Sequence, residues 1–189
     1  MNKKLQIEVE FRSMLDEKKY NNIRIFLKEN AKDLGKDDKD VYFFILKDKL
    51  IKVVNNVSKR NAKVVLKLNK IGRGSDFEEI EILIDQNDVE KSVNLFTLLG
   101  LNEMQHSFQK RHNYFYKGIE FALKYSNTWG YHLELEKMVH NRKDVSLAKK
   151  QIQKVAIELG IHLMTDKELL NFTKRKDREY QQNINQKKV

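Results

Sequence analysis

The chain has 189 residues, 34% charged and 40% hydrophobic, enough for one domain with a buried core and far from a disordered composition. Its formal charge of +10 favours polyanionic partners, and its 37 Lys and Arg are spread along the whole chain. It has no cysteine, which excludes disulfides, thiolate nucleophiles and zinc–thiolate sites, and no apolar run approaches the roughly 18 residues of a membrane span.

The N-terminal MNKKLQIEVE lacks the apolar centre of a signal peptide, so a cytoplasmic location is expected. Residues 5–13 (LQIEVEFRS) alternate as a half-buried strand. A helix is predicted over 16–34, capped by Asp16, with Tyr20, Ile23, Phe26, Leu27 and Leu34 at helical spacing and Gly35 as its C′ residue. Four strands follow at 40–46, 49–54, 62–69 and 77–84, rich in β-branched and aromatic residues. Gly72 and Gly74 lie in the link between the last two; no GK[ST] follows them, so they read as turn glycines.

A second helix fits Asp88 to Leu99, closed by Gly100, and three more strands fit 106–116, 118–126 and 131–139. A helix at 145–159 carries Ala148, Ile152, Val155, Ala156 and Leu159, and the capping box Thr165-x-x-Glu168 opens a last one. The expected organisation is a single domain over 1–175, with a barrel at 1–139, C-terminal helices at 140–175 and a polar, fraying tail at 176–189. Eight short strands in hairpin-like succession predict an antiparallel β-barrel or a highly curved sheet in an α+β chain. Tyr42, Phe43, Phe44, Tyr114, Phe115, Tyr116 and Trp129 read as packing residues, and the five histidines as surface or strand-filling ones.

Three strands repeat one pattern: Glu8-x-Glu10, Glu79-x-Glu81 and Glu134-x-Glu136 each put two carboxylates on one face and apolar residues on the other. In a closed barrel covered by helices, the charged face must be the inside. Six enclosed carboxylates resist ionisation unless cations compensate. Arg12, Lys52, Lys63, Lys67, Arg111 and Lys124 supply those cations from the remaining strands. Paired carboxylates and long cations suit a polyphosphate chelated to Mg²⁺ or Mn²⁺, whose preferred ligands are hard oxygens.

IEVEFR resembles the ExExK signature of the CYTH superfamily, the triphosphate tunnel metalloenzymes. KDVYFF, VVLKLN, EEIEILI, KRHNYF and TWGYHLELE follow in the family's order and at about its spacing, over roughly residues 5–139. The resemblance implies an eight-stranded antiparallel tunnel that takes an inorganic, thiamine or nucleoside triphosphate. It makes Glu8, Glu10, Glu134 and Glu136 metal ligands, with Glu10 and Glu136 catalytic. It assigns Arg12, Lys52, Lys67 and Arg111 to phosphate, with Lys63 and Lys124 beside them, and leaves Glu79 and Glu81 lining the tunnel. Lys124 stands where relatives commonly carry Asp and Gln109 where a Lys is usual, with Lys110 next to it; LIKVV offers one cation in place of an RxR pair.

The activity implied is metal-dependent triphosphate hydrolysis. The alternatives are a class IV-type adenylyl cyclase or a catalytically silent binder of polyphosphate or nucleotide. A nucleic-acid partner has no helix-turn-helix, RNP or finger pattern behind it, no membrane partner is expected, and no oligomeric state is set, a homodimer included.

Overall fold

A computed structural model of the chain describes residues 7–68 and 75–186. Its strands are β1 (Ile7–Met14), β2 (Lys32–Lys36), β3 (Lys39–Ile45), β4 (Leu50–Asn56), β5 (Asn61–Lys67), β6 (Asp76–Ile84), β7 (Met104–Tyr116), β8 (Ile119–Ser126) and β9 (Gly130–Val139); its helices are α1 (Glu17–Asn30), α2 (Val89–Leu98), α3 (Val145–Glu158) and α4 (Asp166–Gln186). Gly72 and Gly74 lie outside the described residues.

Every strand pairing is antiparallel. The order β7-β3-β4-β5-β6-β1-β9-β8 returns to β7 through the β7–β8 pairing, which closes an eight-stranded barrel as expected. Closure depends on the length of β7. Met104–Gln109 pairs with β3, and Lys110–Tyr116 pairs with β8. The β7–β8 link is a two-residue turn, Lys117 and Gly118, with both φ positive at 49° and 76°, the twist that a tight hairpin requires.

β2 is a ninth strand that the sequence pattern does not reveal. α1 stops at Asn30 rather than 34, because Ala31 is already extended and the chain then pairs with β7 from Lys32 to Lys36. Gly35 is therefore not a helix terminator. It sits inside β2 at a register shift opposite Asn113, with φ +85°, and Leu34 turns towards the lumen instead of the α1 stripe.

The two larger apolar clusters lie outside the barrel wall. α1 and α3 cover β1, β8 and β9 with Leu27, Ile152, Val9, Phe121, Leu133 and Leu135, all fully buried. α2 covers β3–β5, where Phe44 and Val53 meet Val89 and Phe96. Because side chains alternate along each strand, helices outside force the polar positions inward.

α4 opens on the predicted capping box: Glu168 Oε2 accepts from the Thr165 amide at 2.7 Å, and Thr165 Oγ1 accepts from the Glu168 amide at 3.2 Å. It then continues as a helix through 176–186, the stretch the sequence suggests as a fraying tail. Phe172 packs edge-on against Trp129 at 5.0 Å, Gln105 Nε2 donates to Asp177 Oδ1 at 2.7 Å, and the His106 amide donates to the Tyr180 hydroxyl at 2.9 Å. These contacts lay the helix along the start of β7 and the β8–β9 turn.

Candidate active site

The barrel encloses a cavity of about 510 Å³. Glu8, Glu10, Arg12, Lys52, Lys63, Lys67, Glu79, Glu81, Arg111, Lys124, Glu134 and Glu136 all line it, so the structure brings every residue of the predicted constellation to one space. Glu8, Glu10, Glu134 and Glu136 face inward because their apolar neighbours, Val9, Leu133 and Leu135, face α1 and α3; Glu79 and Glu81 line the lumen while Ile80 and Ile82, on the other face of β6, are exposed.

Register explains how the acidic pairs meet. Glu10 lies opposite Glu136 across β1 and β9, and Arg12 lies opposite Glu134. Oxygens of Glu10, Glu134 and Glu136 fall within 4.8 Å of one another. Glu8 is not one of these three; it faces Lys67, whose ammonium bonds Glu8 at 2.9 Å and Glu10 at 3.3 Å and also contacts Glu79. Arg12 pairs with Glu10 and donates Nε to Glu134 at 3.1 Å. Lys124 donates to Glu134 at 2.9 Å. Arg111 reaches both oxygens of Glu136 at 3.1 Å, Glu134 at 3.4 Å and Glu120 at 3.3 Å. Lys63 pairs with Glu81.

Burial acts against every one of these charges, and the neighbours decide which survive. Glu8 ionises more readily despite its burial, held at about 2 by Lys67 and Lys52. Glu134 overcomes burial too, with Lys124, Arg12 and Arg111 holding it well below the usual carboxylate range. Glu136 goes the other way: burial outweighs Arg111, and Glu8, Glu134 and Glu10 add repulsion that brings it up to about 8. Burial likewise raises Glu10 above its ordinary value in spite of Arg12 and Lys67. Lys52 is pushed down to about 8 by burial and by Lys67.

Several lining residues escaped sequence reasoning. Asp37, in the break between β2 and β3, binds Lys39 at 2.8 Å, Lys59 at 3.1 Å and Arg111 at 3.2 Å. Glu120 accepts from Asn113 at 2.8 Å as well as from Arg111. Lys39 shares the inner parity of Val41 and Phe43, and Glu120 that of Lys124, so strand alternation alone carried a signal for both. Asp37 had none, since it lies in a break that the sequence pattern does not mark. Thr173 and Asp177 of α4 also line the cavity. Lys110 does not take the place of Gln109: the β7 register runs unbroken from Gln109 opposite Lys39 to Arg111 opposite Lys124, leaving Gln109 inside and Lys110 exposed. Val54, two residues after Lys52, packs with Val41, Val65 and Phe43 to give that part of the wall an apolar strip.

The CYTH domain profile matches residues 6–168. The chain belongs to the CYTH family. Among solved structures, its CYTH barrel is similar to PH1012 from Pyrococcus horikoshii OT3, at 24% identity and TM-score 0.68, covering 86% of this chain and 99% of that one. It is similar to Hippeastrum HpAC1, named for adenylyl cyclase and described as having a dominant triphosphatase activity, at 16% identity and TM-score 0.58, covering 84% and 90%. It also resembles the Mimivirus capping enzyme triphosphatase, at 10% identity and TM-score 0.52, covering 84% and 91%. At these identities the likeness is one of fold. No curated protein matches the sequence.

The donor set fits a hard divalent cation, since oxygens of three carboxylates, Glu10, Glu134 and Glu136, converge. Among the described residues no helix is long and apolar enough to cross a membrane.

Proposed function

We propose that this CYTH protein is a Mg²⁺- or Mn²⁺-dependent triphosphatase that hydrolyses an inorganic, thiamine or nucleoside triphosphate inside the barrel. The observation that carries the reading is the interleaving of acidic and basic side chains around one enclosed lumen, centred on Glu10, Glu134 and Glu136. The activity named for Hippeastrum HpAC1 and for the Mimivirus enzyme is consistent with it.

Glu10, Glu134 and Glu136, with Glu8 alongside, would hold a Mg²⁺ or Mn²⁺ ion, which would withdraw charge from phosphate oxygens. Arg12, Lys52, Lys67 and Arg111, with Lys63 and Lys124 beside them, bind the phosphate chain and spread the charge that develops as the terminal P–O bond breaks. Glu10 and Glu136 orient the attacking water, and its proton passes to a carboxylate and then to solvent. Glu79 and Glu81 hold Lys67 and Lys63 in place. Orthophosphate and the shortened chain leave; no covalent intermediate is needed.

The test is a product panel on the purified protein with Mg²⁺ or Mn²⁺ and tripolyphosphate, thiamine triphosphate or ATP. Orthophosphate release that drops by about 10²-fold or more in Glu10→Gln is expected. Cyclic AMP with pyrophosphate from ATP identifies the cyclase reading instead. No product from any substrate with either metal refutes both.

A further inference from the structure

The lumen is close to charge-balanced. Among the described residues that line it, eight are Lys or Arg and nine are Asp or Glu, so the chain's excess of +10 lies elsewhere. Of those eight cations, all but Lys52 already pair with a lining carboxylate. Moreover, the cations suited to phosphate are bonded to the carboxylates suited to a metal: Arg12 to Glu10 and Glu134, Arg111 to Glu134 and Glu136, Lys124 to Glu134, Lys67 to Glu10.

A metal ion arriving alone meets carboxylates whose counter-charges are in place and must push buried cations away without offering them partners. A triphosphate arriving alone must draw the same cations off and strand buried carboxylates. Each costs the penalty of an unpaired buried charge. Arriving together, the two ligands exchange partners with the whole set: carboxylates pass from ammonium and guanidinium to metal, and the freed cations pass to phosphate.

We infer that this partner exchange couples divalent metal and triphosphate so strongly that the protein binds them as one unit, with Lys124 as the resident counter-ion that suppresses binding of metal alone. Lys124 carries this role because its ammonium is buried, lines the lumen, and makes its one ion pair among the described residues to Glu134. The inference rests on the triphosphate reading above and adds to it a linkage between the two ligands.

The test measures retention of Mn²⁺ and of the non-hydrolysable imido analogue of tripolyphosphate on the protein, separately and together, by rapid ultrafiltration and Mn²⁺ electron paramagnetic resonance. The expected result is that each ligand tightens the other on the order of tenfold or more. In Lys124→Met, Mn²⁺ alone binds on the order of tenfold more tightly and the coupling shrinks. Mn²⁺ that binds the natural protein equally well with and without the analogue overturns the coupling while leaving the triphosphatase reading intact. Absence of any joint binding overturns both. A Lys124→Met protein that folds, by its melting curve, yet keeps the natural Mn²⁺ affinity overturns the role of Lys124; should it not fold, the titrations of the natural protein decide.

Discussion

Lys52 differs from its neighbours in the lumen. It lines the cavity in the middle of β4, and it has no ion pair within the described residues, while Glu79, Glu8 and Glu10 act on it only from a distance. Burial and Lys67 bring it down to about 8, and burial with Arg111 does the same for Lys39. Both lose charge as pH rises through that value. Measured by calorimetry without divalent metal, affinity for the tripolyphosphate analogue is therefore expected to fall between pH 7 and 9.5, with Glu136, which gains charge near 8, adding repulsion in the same direction. Lys52→Met binds more weakly at pH 7 and shows a flatter pH dependence. Stability moves the opposite way. A lysine with a depressed native pKa binds fewer protons folded than unfolded between about 8 and its ordinary 10.5. Its contribution to stability then rises with pH across that window. The difference in melting temperature between Lys52→Met and the natural protein should shrink there; a constant difference refutes the depressed pKa.

At the scale of elements, the site depends on helices that never touch it. α3 presents Ala148, Ile152, Val155 and Ala156 to the outer faces of β1 and β9, and this burial turns Glu8, Glu10, Glu134 and Glu136 inward. Ile152 is fully buried and Ile157, on the same helix, is 78% exposed. Ile152→Ala is expected to cost about 2–5 kcal/mol through the cavity it leaves, or roughly 5–15 °C in melting temperature. Ile157→Ala should stay within about 0.5 kcal/mol. Equal effects from the two contradict the orientation of α3. β2 shows the other side of element-scale control. Its sequence, KDLGK, has little strand propensity, and its five residues are a strand because the free edge of β7 offers backbone partners from His112 to Phe115.

For the whole molecule, charge is divided between a balanced interior and a basic exterior. Interior pairs lie in a low dielectric and are little affected by salt, whereas the outer charge is screened within about 8 Å at physiological ionic strength. Raising NaCl from 50 to 500 mM is expected to slow association of the metal–triphosphate analogue several-fold and leave its dissociation rate nearly unchanged, read by stopped flow. A salt effect carried mainly by dissociation contradicts this division.

The alternation in IEVEFR, EEIEILI and YHLELEKMV determined by itself that each strand has an acidic and an apolar face, and the ordered blocks around them named the family and its barrel. α1, α2, α3 and the start of α4 were equally legible, because helical spacing and caps are local properties of the chain. Which carboxylates converge was decided only by tertiary structure: Glu10, Glu134 and Glu136 form the trio while Glu8 turns to Lys67, since cross-strand register, not spacing along the chain, sets those distances. The same holds for Asp37 and the helical run of 176–186, each fixed by partners far away in sequence. A strand's faces follow from adjacent residues, but an ion pair across a barrel exists only once the sheet has closed.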